Sequence, residues 1–226
     1  MEIGKKEMKW CPPRLGICGE PGVGKTTFAS NAPGAIFIVT ERGCDGVDIV
    51  RVPKDTICAD WNDVLTAVSV VEAVVEKQPK DVQWVVLDTV DAAETLCAEY
   101  ICQKNFGGNW ESTSGKDGFN AWGRGDKATA QEFKKLLHKL DVLNSKGVGI
   151  IMLMHLGLHR SGNALGQDFL KFGGNVNKHT WACILGWADQ IGHACREFVV
   201  SKLGDEKKAK AIATPKTKDR QLIFDG

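Results

Sequence analysis

The most constraining feature of the sequence is the glycine-rich segment GEPGVGKT at residues 19–26. It matches the pattern G-x-x-x-x-G-K-[ST] at every fixed position, and the apolar run RLGIC directly precedes it. In such a P-loop, backbone N–H groups turn inward around phosphate oxygens, and the N-terminus of the next helix adds a favourable dipole. The alternative is a glycine-rich turn that merely precedes a helix. We predict a phosphate-binding loop formed by Gly19, Glu20, Pro21, Gly22, Val23, Gly24, Lys25, Thr26 and Thr27.

A P-loop also requires a metal shell and a group that activates water. Lys25 would reach the β- and γ-phosphates, and the Thr26 hydroxyl would bind Mg²⁺. The acid for the metal normally ends an apolar strand, and Asp88 ends the run WVVLD. Alternatively, Asp88 caps the helix that starts near Asp91. Glu41 ends the run AIFIVT and is the candidate for orienting or deprotonating water, the alternative being a solvated loop acid.

A histidine ends a further apolar run. His155 follows VGIIMLM, and functional groups of open parallel sheets gather at the carboxyl ends of strands. There it could sense the γ-phosphate. Alternatively, its ring could make hydrogen bonds that have only a structural role. His155 and His159 lie four residues apart. This spacing would bring two zinc ligands to the same side of the chain only if the segment were helical, and Gly157 between them argues against a helix.

Apolar runs alternate with helical patterns as far as His155, which indicates βαβ units. Helical spacing is clearest over residues 61–77 and along the stripe Phe133, Leu136, Leu137, Leu140 and Leu143. The segment 190–224 reads as further strands. The predicted fold class is α/β, a P-loop NTPase with a mostly parallel central sheet flanked by helices and a C-terminal antiparallel extension. With 43% hydrophobic and 25% charged residues, the 226-residue chain has the composition of one ordinary globular domain, spanning 1–226.

Two long glycine-rich segments, 104–126 and 156–177, lack clear periodicity and carry aromatic and cationic residues. Aromatic side chains that stack on bases and cations that contact phosphates are typical of proteins that bind single-stranded nucleic acid. Several of these aromatic side chains could instead belong to the hydrophobic core. The candidate DNA-binding residues are Lys104, Trp110, Lys116, Phe119, Trp122, Arg124, His159, Arg160, Lys171, Phe172 and Lys178.

Charge and cysteine usage give weaker indications. The net charge is +1, but residues 155–226 carry 11 Lys and Arg against 7 Asp and Glu, so the basic side of the chain follows His155. The eight cysteines are scattered without a C-x-x-C pair, and the start lacks an apolar signal segment. We therefore expect reduced cysteines, a cytoplasmic location and no membrane partner.

Taken together, several segments of the chain resemble the phage-type RecA-like ATPases, which are reduced to a RecA core, bind single-stranded DNA and promote strand annealing. The resemblance implies that Glu41 activates water, that Asp88 is the Walker B acid, and that His155 replaces a Gln linking the γ-phosphate to the second DNA-binding loop. It also implies ATP and Mg²⁺ as cofactors, hydrolysis stimulated by DNA, self-association as a filament or ring, and a single-strand DNA-binding protein as a further partner. The segments that carry it are RLGICGEPGVGKTTFAS, AIFIVTERGCDGVD, WVVLDTVDAAE, GFNAWGRGD, GIIMLMH and LGWADQIGHA.

The same resemblance suggests that Lys216, Lys218 and Arg220 act in trans, on the ATP of a neighbouring subunit. Chains of this family usually continue past a strand such as RQLIFDG, so this one is expected to be either naturally short or truncated at its C-terminus. Alternative functions are a RecA- or KaiC-like motor or signalling ATPase of helicase type, and a small-molecule kinase. A GTPase is disfavoured because the nearest match to N-K-x-D, residues 177–180, lacks the Asp.

Overall fold

A computed structural model describes residues 11–111, 117–162, 166–203, 210–217 and 219–224. Its strands are β1 (Arg14–Gly19), β2 (Ala35–Val39), β3 (Val50–Val52), β4 (Trp84–Asp88), β5 (Gly149–Ser161), β6 (Phe169–Gly174), β7 (Gln190–Cys195), β8 (Phe198–Leu203), β9 (Lys210–Pro215) and β10 (Gln221–Phe224). Its helices are α1 (Lys25–Ser30), α2 (Trp61–Lys77), α3 (Val90–Phe106), α4 (Arg124–Ser145) and α5 (Lys178–Trp187), with a 3₁₀ turn at Ala121–Gly123.

The central sheet has the strand order β10-β7-β1-β5-β4-β2-β3. All neighbours in it are parallel except β10, which runs antiparallel to β7. This arrangement confirms the predicted α/β fold class with its antiparallel C-terminal addition. Because β5 lies between β1 and β4, the carboxyl ends of the P-loop strand, the His155 strand and the Asp88 strand are adjacent.

The helices cover the sheet with the apolar stripes that the sequence predicts. Helix α2 begins after Asp60, whose side chain accepts a hydrogen bond from the Asp63 N–H, and it buries a row of valines. The predicted stripe of α4 is buried, and Phe133 stacks on Trp61 with ring centroids 5.8 Å apart. Burying each such large side chain contributes about 1.5–3 kcal/mol, so this layer holds α2 and α4 beside the sheet.

Both glycine-rich segments are more ordered than the sequence predicts. Residues 104–106 belong to α3, and residues 124–126 belong to α4. The segment 156–177 is largely a hairpin, because β5 continues to Ser161 and pairs antiparallel with β6. We call β5 from residue 156 onward, together with β6, the arm. The segment 190–224, predicted as further strands, begins with β7, a turn and β8.

None of the helices within the described ranges is both long and apolar enough to cross a membrane.

Candidate functional site

The P-loop connects β1 to α1 and lines a cavity of about 350 Å³. Gly24 precedes α1 with φ 97°, a left-handed backbone that favours glycine. Lys25 is buried, and its ammonium group donates to the carbonyl oxygens of Gly19 at 2.8 Å and Glu20 at 3.2 Å. Burial lowers the pKa of Lys25, whereas nearby carboxylates oppose that effect. The loop therefore holds a cation beneath the space that a nucleotide phosphate would fill.

Thr26 and Asp88, which the sequence predicts as the metal ligands, lie in contact. The Thr26 hydroxyl donates to Asp88 Oδ2 at 2.9 Å, and Asp88 is only 6% exposed. Burial raises the pKa of Asp88, while the bond from Thr26 and the charge of Lys25 lower it. A hydroxyl and a carboxylate are the hard oxygen donors that Mg²⁺ prefers, and the open cavity leaves room for the waters it usually keeps. These two residues therefore fit a Mg²⁺ ion.

Glu41 reaches the same cavity from β2. The pairing of Val39 with Asp88 aligns the ends of β2 and β4, and a threonine pair locks that alignment. The Thr40 hydroxyl donates to the Thr89 carbonyl at 2.7 Å and accepts from the Thr89 N–H at 2.8 Å. Burial raises the pKa of Glu41, and the charge of His155 lowers it. A partly buried carboxylate beside the phosphate space is suited to accept a proton from water.

His155 lies opposite Gly19 in the β1–β5 pairing and lines the cavity, as predicted. Its Nε2 lies 3.7 Å from Glu41 Oε1. Its backbone N–H donates to Asp91 Oδ1 at 2.9 Å, and its Nδ1 lies 2.5 Å from Asp91 Oδ2. The sequence pattern indicates Asp91 only as a residue near the start of a helix. The available signal was its position in the first turn of a helix that begins directly after Asp88.

Arg220 also lines the cavity, from the loop before β10 of the same chain. An added Cβ at Gly24 would collide with its guanidinium group, so the side chain lies against the P-loop. Within the single chain, Arg220 therefore lies beside its own P-loop, and its predicted action on the ATP of a neighbouring subunit stays a prediction. Lys216 is exposed and pairs with Glu197 at 2.6 Å, and Lys218 lies outside the described residues.

The candidate DNA-binding residues of the first segment divide between core and surface. Phe119 is 3% exposed and packs against Phe106 and Trp110, so its prediction as a stacking residue is wrong. Trp110 and Trp122 are exposed, Trp122 to 86%. Arg124 and Lys104 are also exposed, and Lys104 donates to the Tyr100 hydroxyl. Lys116 lies outside the described residues.

In the second segment, Phe172 and Lys171 are exposed on β6. Arg160 is exposed and pairs with Asp168 at 2.9 Å. His159 is half-buried and stacks on Trp181 with ring centroids 5.0 Å apart, which gives it a structural contact. Lys178 is exposed at the start of α5.

A family model described as an AAA domain matches residues 12–224, nearly the whole chain. The chain belongs to the AAA domain family. Membership in this P-loop ATPase-type family agrees with the P-loop geometry and implies nucleotide binding, which AAA domains usually combine with Mg²⁺. No curated protein matches the sequence significantly.

Proposed function

We propose that this AAA domain protein hydrolyses ATP with Mg²⁺ and binds single-stranded DNA in homologous recombination or strand annealing. The observation that carries the proposal is the continuity of β5. The strand ends its buried part at His155 in the P-loop cavity and continues as the exposed arm. One strand thus links the candidate hydrolytic site to a surface suited to bases.

The residues that line the cavity would have separate roles in hydrolysis. Lys25 would donate to the β- and γ-phosphate oxygens, and Glu41 would accept a proton from the attacking water. Thr26 and Asp88 would hold Mg²⁺, which when bound neutralises charge on the phosphates. Arg220, with its guanidinium against Gly24, would add a second cation to the phosphate site.

The arm offers a surface for stacking. Leu158 and Phe172 are paired across the hairpin and are 60% and 56% exposed. Residues directly opposite in an antiparallel pair share a face, so these two form a continuous apolar patch. Phe169 is exposed on the other face, which it shares with Lys171. Aromatic rings beside cations support single-strand binding, because every base has a face that can stack and every nucleotide carries a phosphate.

Binding of fluorescent oligonucleotides tests this function directly. We expect tighter binding to single strands than to duplexes, and a dependence on ATP with Mg²⁺. Phe172→Ala should weaken single-strand binding about 10-fold, since stacking on one aromatic ring contributes about 1–3 kcal/mol. Val50→Ala is the matched control, because Val50 is 65% exposed on the far edge strand. Equal affinity for single strands and duplexes in every nucleotide state would refute the proposal.

We also propose that the protein self-associates on DNA as a filament or ring and works with a single-strand DNA-binding protein. Electron micrographs of the protein on single-stranded DNA with ATP would distinguish the two assemblies. Discrete particles of one subunit, with no assembly at any protein concentration, would argue against both. Unwinding of a forked duplex by the chain would instead favour a helicase-type motor.

A further inference from the structure

Asp91 uses both of its carboxylate oxygens on a single residue. Oδ1 accepts from the His155 backbone N–H at 2.9 Å, and Oδ2 lies 2.5 Å from the ring Nδ1. The Asp91 side chain is 13% exposed and that of His155 is 25% exposed, so the contact is largely shielded from water. Asp91 itself is fixed, because it lies in the first turn of α3.

In the neutral imidazole, this geometry selects one of the two tautomers. A carboxylate only accepts hydrogen bonds, so Nδ1 must carry the proton that Oδ2 receives. The second ring nitrogen, Nε2, then faces the P-loop cavity and lies 3.7 Å from Glu41 Oε1. Glu41, Asp91 and His155 each bring one side-chain atom to within 4.8 Å of the others. Nε2 is thus the nitrogen available to a water molecule or a terminal phosphate.

We propose that Asp91 is a positioning residue for ATP hydrolysis, which fixes the Nδ1–H tautomer of His155 and directs Nε2 at the terminal phosphate and the attacking water. The inference rests on the proposed hydrolysis of ATP in this cavity. Asp91 touches neither substrate nor metal in this role. It acts through His155, as a carboxylate acts on the histidine that it orients in other sites.

Asp91→Asn gives the most direct test, because the amide has nearly the same shape as the carboxylate but reverses the direction of the hydrogen bond to His155 Nδ1. The Asn oxygen can still accept from the His155 backbone N–H, but the amide nitrogen must donate toward Nδ1. The ring proton therefore moves to Nε2. We expect kcat for ATP to fall about 10-fold or more, while KM changes less than about 3-fold, because binding groups of the P-loop are untouched. Asp81→Asn, in an exposed turn before β4 and therefore at the opposite end of that strand from Asp88, is the control and should match the wild type.

The tautomer is measured separately, by long-range ¹H–¹⁵N correlation spectra of the full chain labelled on its five histidines. His155 is assigned by the signals missing from His155→Gln. We expect an Nδ1-bound proton in the wild type, an Nε2-bound proton in Asp91→Asn, and a shift of the wild-type Nε2 signal on adding a non-hydrolysable ATP analogue with Mg²⁺.

Three results would overturn the proposal. They are a wild-type ring protonated only on Nε2, an Nε2 signal that ignores the ATP analogue, and wild-type kcat in an Asp91→Asn protein whose tautomer has reversed. The wild-type spectra decide the first two even where the variant fails to fold. Failure of the proposed function is distinct, since the wild type would then show no ATP turnover whatever its tautomer.

Discussion

Glu41 is subject to two opposing electrostatic influences. Burial raises its pKa, and the neighbouring His155 lowers it. In the proposed hydrolysis, Glu41 must be deprotonated to accept a proton from water, so these influences would set the lower pH limit of that reaction.

We expect hydrolysis to be lost as the pH falls through the Glu41 pKa, at a higher pH than for an ordinary glutamate, because burial raises that pKa. His155→Gln removes a ring whose protonated form lowers that pKa, so the residual activity of this variant should be lost at a higher pH still. The measurement is kcat/KM against pH for both proteins. If kcat/KM falls at the same low pH in His155→Gln as in the wild type, that fall cannot be assigned to protonation of Glu41.

Glu41→Gln should bind ATP normally and hydrolyse it about 10²–10⁴-fold more slowly, which is the usual contribution of a general base. Single-turnover hydrolysis and binding of a fluorescent nucleotide measure the two quantities separately. Glu99→Gln, on the exposed face of α3, is the control. Normal turnover in Glu41→Gln would show that another group activates water.

Lys25→Ala should weaken ATP binding at least about 10-fold, because a charge-assisted hydrogen bond contributes about 1.5–3 kcal/mol. Titration calorimetry of the variant against Lys80→Ala, an exposed lysine outside the cavity, gives the comparison. Unchanged affinity would mean that the P-loop does not hold the phosphates.

At the scale of elements, helix α3 holds both ends of the arm. Asp91 contacts His155, where the arm begins. One turn later, Glu94 accepts from the Asn177 backbone N–H at 2.9 Å and from its Nδ2 at 2.6 Å. Asn177 in turn caps α5. The helix that starts after Asp88 thus connects the candidate metal site to the base of the arm.

Glu94→Ala should lower the free energy of unfolding by about 1–3 kcal/mol, since it leaves the Asn177 donors without their buried acceptor. Urea denaturation measures the loss. Glu99→Ala, exposed on the same helix, should change it by less than about 0.5 kcal/mol. Equal effects of the two substitutions would show that the link to Asn177 contributes nothing.

The arm also shows why part of the structure could not be predicted from the sequence. Its glycines read as loop residues, yet a Cβ at Gly173 would lie only 2.7 Å from the Trp181 ring, so that glycine permits close packing of a strand. The P-loop, Asp88, Glu41 and His155 were predictable because motif and strand ends identify them without tertiary information. The role of Asp91 and the contact of Arg220 with the P-loop of its own chain were not, because they depend on where α3 starts and on how β10 pairs with β7.

At the scale of the whole molecule, the position of Arg220 makes a prediction about subunit cooperation. If Arg220 acts on its own chain, mixing inactive Arg220→Ala with inactive Glu41→Gln should restore no ATP turnover, because each subunit lacks one group in cis. Lys216→Ala, whose residue pairs with Glu197 away from the cavity, is the control and should stay active. Turnover recovered in the mixture would mean that Arg220 reaches a neighbouring subunit.

The uninterrupted course of β5 has a mechanical consequence. Ser161 lies six residues after His155, so at about 3.3 Å per residue the strand extends roughly 20 Å beyond His155. At that length, a tilt of the strand by about 5° at His155 would displace its far end by about 2 Å. That displacement is about half of the spacing between stacked bases, which is about 3.4 Å.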